Sequence, residues 1–292
     1  MISFTNILFI LFYIKFMETF LEFIIILLIT GAVVGFSTGL LGVGGGFLMV
    51  PIQFFLLQST GISPDMAIRI AFGTSLAVIL PTAISGSYRH YCNKCVLLKP
   101  AIYMGITGFS GGFIGGYIAS ITPVNILTFI FSILLFFVAY QILKYQKAPG
   151  GKTKNLNPYH LLVWGFLAGV CSGLLGIGGG VILVPVMLIV LGFSMLEAVG
   201  TSTVVILLTS VGGILSYIYQ GLNIPNLPPY SAGYVNLLQF LLLSIFSIPL
   251  AYLGSYYAHK IPEKQLRYLF AVILIFIALK LSGLFELIGI PL

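Results

Sequence analysis

Charge is what this sequence has least of. Only 7% of its 292 residues are charged, against roughly 25% in ordinary soluble domains. Set beside 59% hydrophobic residues and a mean hydropathy of +1.15, that scarcity excludes a soluble globular fold. The acidic side chains number 6, namely Glu18, Glu22, Asp65, Glu197, Glu263 and Glu286, and nearly all fall at the edges of apolar runs. A cation pathway, which wants buried carboxylates, is therefore disfavoured. Cysteine is equally sparse. Cys92, Cys95 and Cys171 are too few and too scattered for a disulfide framework. The Cys92-Asn-Lys-Cys95 pair beside His90 offers only part of a zinc site. A credible nucleophile and base pair, a dinucleotide fingerprint and a Walker sequence are all missing. Neither catalysis nor nucleotide hydrolysis is expected, and no cofactor or metal is implied.

What the chain does have is apolar length. About 20 apolar residues suffice for a helix to cross a bilayer with every backbone polar group satisfied inside the segment, and several stretches qualify. The net charge of +7 comes from 13 basic residues gathered mostly in short loops. This is the positive-inside pattern of a membrane protein in a lipid bilayer, and no nucleic-acid partner is expected. Residues 2–16 are apolar but lack a basic leader and are followed by Glu18 and Glu22. They read as an N-terminal extension or interfacial helix (1–19) rather than a signal peptide.

The chain also repeats itself. Gly35-Phe-Ser-Thr-Gly-Leu-Leu-Gly-Val-Gly-Gly-Gly-Phe-Leu-Met-Val-Pro51 matches Gly169-Val-Cys-Ser-Gly-Leu-Leu-Gly-Ile-Gly-Gly-Gly-Val-Ile-Leu-Val-Pro185 without a gap, and Ala71–Leu80 matches Ala198–Leu207 in the same order. A tandem duplication follows. Its first copy spans 20–144 and its second 160–285, joined by a basic linker at 145–159. Each copy holds about five apolar segments, near 20–41, 46–58, 66–88, 100–120 and 123–143, then near 160–176, 180–192, 195–219, 232–258 and 264–282. The second segment of each is short and carries Pro51 or Pro185, so a half-helix or re-entrant piece is expected there.

Loop charge orients the copies. Arg89, His90, Lys94 and Lys99 fill the loop after the third segment of copy one, whereas 220–231 carries no charge; the bias reverses at 120–123 and 259–267. With basic loops cytoplasmic, the copies are inverted. The expected fold is all-α, polytopic and built from two inverted repeats with short or broken helices, a common transporter plan. A homodimer is compatible with it.

The glycine runs Gly42-Val-Gly44-Gly45-Gly46 and Gly176-Ile-Gly178-Gly179-Gly180 each lie between a long segment and a short one. A helix starting after such a turn aims unpaired N–H groups and a positive dipole end at one spot, which suits an anion. Small residues that merely pack helices are the plainer reading. Gly73-Thr74-Ser75 and Gly200-Thr201-Ser202 put hydroxyls inside apolar helices. Those hydroxyls either donate to anionic oxygens or bond back to their own helices. Arg69 balances substrate charge or snorkels to an interface. Glu197 reads more readily as a helix-start carboxylate than as a carrier of a coupling proton.

The two glycine-rich stretches, 35–51 and 169–185, together with the paired Gly-Thr-Ser helices, resemble the sulfite exporter TauE/SafE family over roughly residues 20–285. That resemblance implies passage of sulfur oxyanions or organosulfonates across the cytoplasmic membrane. The residues themselves point only to a small anionic substrate. A passive anion channel and a ligand-free membrane scaffold stay open as alternatives.

Overall fold

The computed structural model describes residues 4–144 and 157–258 together with positions 272, 275, 276, 278, 279 and 282. The linker expected over 145–159, apart from 157–159, the basic loop at 259–267 and most of the segment at 264–282 lie outside the described residues.

The chain is helical nearly throughout: α1 (Phe4–Leu41), α2 (Gly46–Ser59), α3 (Pro64–Cys92), α4 (Leu98–Ile121) and α5 (Val124–Lys144), then α6 (Pro158–Leu175), α7 (Gly180–Ile189), α8 (Met195–Gly221) and α9 (Leu237–Tyr257). A two-stranded ribbon, β1 (Ser231–Ala232) and β2 (Val235–Asn236), precedes α9. Helix α1 runs unbroken from Phe4, well ahead of the point where the repeat begins. Five of the described helices are long and apolar enough to cross a membrane, in α1, α3, α6, α8 and α9. By contrast α2 has 14 residues and α7 has 10, each with an internal proline. At 1.5 Å per residue they rise about 21 and 15 Å, short of a hydrocarbon core of about 30 Å.

Equivalent helices of the two copies are α1 and α6, α2 and α7, α3 and α8, α4 and α9. The close contacts run mostly between copies. A Cβ on Gly31, Gly35 or Gly39 of α1 would strike the backbone of Leu243, Ser247 or Ala251 of α9, so α1 and α9 lie side by side in the same direction. Gly165, Gly169 and Gly173 of α6 meet Met104, Gly108 and Gly112 of α4 in the same parallel sense. Thr74, Thr82, Ser85 and Arg89 of α3 bond in turn to Asn236, Ser247, Ile248 and Tyr252, which sets α3 parallel to α9. Gly105, Gly112 and Gly116 of α4 track Leu208, Thr209 and Ser216 of α8. Gly73 against Tyr217, Leu76 against Gly213, and His90 against Gly200 run α3 and α8 in opposite senses. Thus α1, α3 and α9 point one way, α4, α6 and α8 the other. The equivalent pairs α1 and α6, α3 and α8, and α4 and α9 are each antiparallel.

The exterior is apolar. Ile102, Ile106 and Ile118 on α4, Phe129 and Ile133 on α5, and Leu241 and Ile245 on α9 are exposed, as lipid-facing surfaces require. The buried polar side chains, among them Gln53, Thr74, Ser75, Thr201 and Ser202, collect on the helices between.

Candidate functional site

The two glycine loops meet. Gly42, Gly44 and Gly45 have φ of 67, 86 and 68°, and their equivalents Gly176, Gly178 and Gly179 have 65, 81 and 81°, a left-handed path open to glycine at little cost. A Cβ on Gly46 would lie 2.5 Å from the Gly176 carbonyl oxygen, one on Gly180 2.6 Å from that of Gly42, and one on Gly44 2.9 Å from that of Ile177. Ile79 and Ile206, themselves equivalent, flank the junction. All the loop glycines are buried. Each loop opens a short helix: Gly45 caps α2 and Gly179 caps α7, neither with a side-chain partner. The N–H groups of residues 44–47 and 178–181 donate to no acceptor among the described residues, as the unpaired first turn of a helix dictates.

The Gly-Thr-Ser triads tie the copies together reciprocally. Ser75 Oγ donates to the Gly176 carbonyl at 2.5 Å, and Ser202 Oγ to the Gly42 carbonyl at 3.0 Å. Each serine also reaches a carbonyl in its own helix, Phe72 or Val199, at 2.9 Å. Thr74 Oγ1 accepts from the Asn236 N–H at 2.9 Å, at the start of α9; Thr201 Oγ1 accepts from the Leu97 N–H at 3.0 Å, at the start of α4. Gly73 and Gly200 let the carbonyls of Tyr234 and Cys95 approach, each within 2.7 Å of a would-be Cβ. These serine, threonine and glycine contacts of one copy thus have counterparts in the other, whereas the approach of Gly44 to Ile177 does not. His90 and Tyr217 occupy equivalent positions as well, and bond the carbonyls of Gly39 and Gly173, again equivalents, at 3.1 and 2.8 Å.

These bonds change the roles expected of the hydroxyls. Each serine proton is shared between a helix-end carbonyl of the opposite copy and a carbonyl of its own helix, so Ser75 and Ser202 tie the glycine loops to the other copy. The threonine oxygens act as acceptors, and the Thr74 and Thr201 protons have no acceptor among the described residues. Arg69 stands apart from the loops. Its Nη1 donates to the Asp65 carbonyl at 2.8 Å and its Nη2 to that of Thr122 at 3.1 Å, with the Asp65 carboxylate 3.5 Å away. Asp65 in turn accepts from the Val124 N–H at 3.3 Å, so the pair clamps the turn between α4 and α5. Glu197 closes a capping box with Ser194, accepting from its N–H at 3.0 Å and its hydroxyl at 2.9 Å. Cys92 and Cys95 are free thiols.

Four participants escape a reading of motifs alone. Asn236 and Leu97 lie in connectors with no shared pattern. Tyr217 is found by carrying the repeat register forward from Ser202 until it meets His90. Gln53 is fully buried on α2, and neither atom of its carboxamide has a partner among the described residues; its type was visible but its burial was not.

A bundle of long apolar helices around two broken ones, knitted by a duplicated glycine and hydroxyl core, defines a multi-pass membrane protein of transporter type. The sulfite exporter TauE/SafE family model matches residues 27–281, and the chain belongs to that family. It is 31% identical over 265 residues to a "Probable membrane transporter protein" of Haemophilus influenzae, covering 89% of this chain and 98% of the relative. It is 33% identical over 258 residues to "Probable membrane transporter protein MJ0441" of Methanocaldococcus jannaschii, covering 87% and 94%. With "Probable membrane transporter protein YunE" of Bacillus subtilis it shares 30% identity over 215 residues, 68% of this chain and 79% of the relative. No solved structure matches the chain.

Proposed function

We propose that the protein carries a small sulfur oxyanion or organosulfonate across the cytoplasmic membrane by alternating access, outward export being the direction the family description favours. The observation that carries this reading is the abutment of the two glycine loops, where unpaired amides from both copies gather, with Thr74 and Thr201 next in sequence to the serines that hold those loops. In low dielectric such neutral donors bind anionic oxygens strongly. Gly44, Gly45, Gly46, Gly178, Gly179 and Gly180 supply the backbone, Gly73 and Gly200 the close approach of the Tyr234 and Cys95 connectors, Thr74 and Thr201 the donors. Ser75 and Ser202 hold the loops, while Arg69 acts from the edge of the bundle. The antiparallel course of equivalent helices supports inverted repeats, with the connectors at 93–97 and 259–267 cytoplasmic and those at 122–123 and 222–236 outside. Exchanging the conformations of the copies then exposes one site to either side.

The test is thermal unfolding of purified protein with sulfite, sulfate, thiosulfate or short alkanesulfonates. Stabilisation by at least one is expected. It should weaken in Ser75→Ala, Ser202→Ala, Thr74→Val and Thr201→Val. Wild-type protein indifferent to all of these anions sinks the reading. Saturable counterflow in liposomes separates a carrier from an open pore.

A further inference from the structure

Helix α2 contains one residue that its surroundings do not explain. Gln53 lies seven positions after Gly46, about two turns or 10 Å along the half-helix, and is 0% exposed. Its Nε2 and Oε1 both lack a partner among the described residues. A buried serine without a partner can turn its hydroxyl to its own helix, but a carboxamide at the end of three rotatable bonds has no such local recourse. Two amide protons and a carbonyl oxygen are left buried and unpaired at a substantial desolvation cost. The duplication supplies an internal control. Carrying the matched stretch two residues past Pro51 and Pro185 aligns Gln53 with Met187, which is also 0% exposed. The same place in the same unit therefore packs well with an apolar side chain of similar length, so packing does not demand the amide. The turn at 60–63 brings α2 back antiparallel to α3, and Gly46 touches Ile79. Gln53 consequently stands within about one turn of the level of Gly73 and Thr74.

We propose that Gln53 is a substrate-contacting residue that selects anions bearing a hydrogen-bond donor of their own. This rests on the anion reading above and sharpens it. The glycine loops and threonines offer only donors, which any oxyanion can use. Gln53 adds an acceptor, Oε1, next to a donor, Nε2. A singly charged ligand with an O–H or N–H group beside its anionic oxygens satisfies both ends of the amide. A fully deprotonated oxyanion or a plain alkanesulfonate leaves Oε1 unpaired, and a site built to bond a hydroxyl rejects the analogue that lacks it. Hydrogensulfite and hydroxyl- or amino-substituted alkanesulfonates belong to the favoured class.

A matched pair tests this on the full-length purified protein: ethanesulfonate and 2-hydroxyethanesulfonate, with affinity read from ligand-dependent thermal unfolding. Wild type should bind the hydroxylated member about tenfold tighter or more. Gln53→Met, which copies the residue of the other repeat, should fold with an unfolding midpoint equal to or above wild type and bind the two ligands alike. Gln53→Glu keeps the shape but replaces the donor by an acceptor, and should lose affinity for both; it serves as the second variant should Gln53→Met not fold. A wild type without preference, or a Gln53→Met or Gln53→Glu protein that keeps wild-type preference and affinity, overturns the proposal while leaving anion binding intact. A wild type that binds neither ligand nor any other anion tried overturns the anion reading itself.

Discussion

At the scale of single residues, the chemistry of the centre is set by who holds which proton. Ser75→Ala leaves the Gly176 carbonyl without its cross-copy donor, and Ser202→Ala does the same to Gly42. Each should cost about 1–3 kcal/mol of stability, seen as a lower unfolding midpoint without ligand, and the two should resemble each other because their surroundings do. Gly44→Ala combines a φ of 86° with a Cβ only 2.9 Å from the Ile177 carbonyl oxygen. Its cost should be about 1–2 kcal/mol from the backbone alone, and more from the contact. The two neighbouring thiols should differ in reactivity. Burial raises the pKa of the Cys95 thiol, and the Glu197 carboxylate pushes it the same way, so less thiolate is present at neutral pH; Cys92 is exposed. Iodoacetamide at neutral pH should modify Cys92 first, with Cys95 catching up as pH rises, as peptide mass spectrometry would reveal. Equal rates at neutral pH would contradict the packing described for the connector after α3.

At the scale of elements, sequence legibility was high where a period or a repeat spoke and low where partners lie far apart in the chain. The expected segments at 46–58 and 180–192 correspond to α2 and α7, the second ending early at Ile189, and the glycines before them mark where each begins. The helical class and the broken helices were legible for the same reason. The acceptors claimed by Ser75 and Ser202 were not, because they sit 101 and 160 residues away. Hydrophobic periodicity carries no information about which helix of the other copy supplies a carbonyl. Arg69 misleads in a similar way: in sequence it is a lone cation in an apolar run, but Thr122, 53 positions on, is what it holds. The glycine ladders give a sharp expectation. Gly35→Leu and Gly169→Leu drive a side chain into facing backbone that cannot yield, and each should cost about 3 kcal/mol or more, lowering the yield of monodisperse protein on size exclusion. Gly86→Ala is the control, its nearest neighbour being the Gly39 Cα at 3.8 Å; it should be neutral or slightly stabilising.

At the scale of the whole molecule, the antiparallel pairing of equivalent helices makes a statement about sidedness. In a chain whose native cysteines are replaced, Ser120→Cys and Asn223→Cys should react with a membrane-impermeant maleimide on intact cells. A chain keeping only Cys92 should react only after the membrane is opened. Labelling of Cys92 together with Asn223→Cys from outside would mean that the copies face the same way.

The pairing of α1 with α9 and of α4 with α6 carries a mechanical corollary. Backbones that touch through glycine along several turns behave as one stiff plank, and each plank borrows one member from either half of the gene. Under the alternating-access proposal, bodies built this way do not coincide with the ancestral units. They cut across the duplication, and the Ser75 and Ser202 bonds join its two copies.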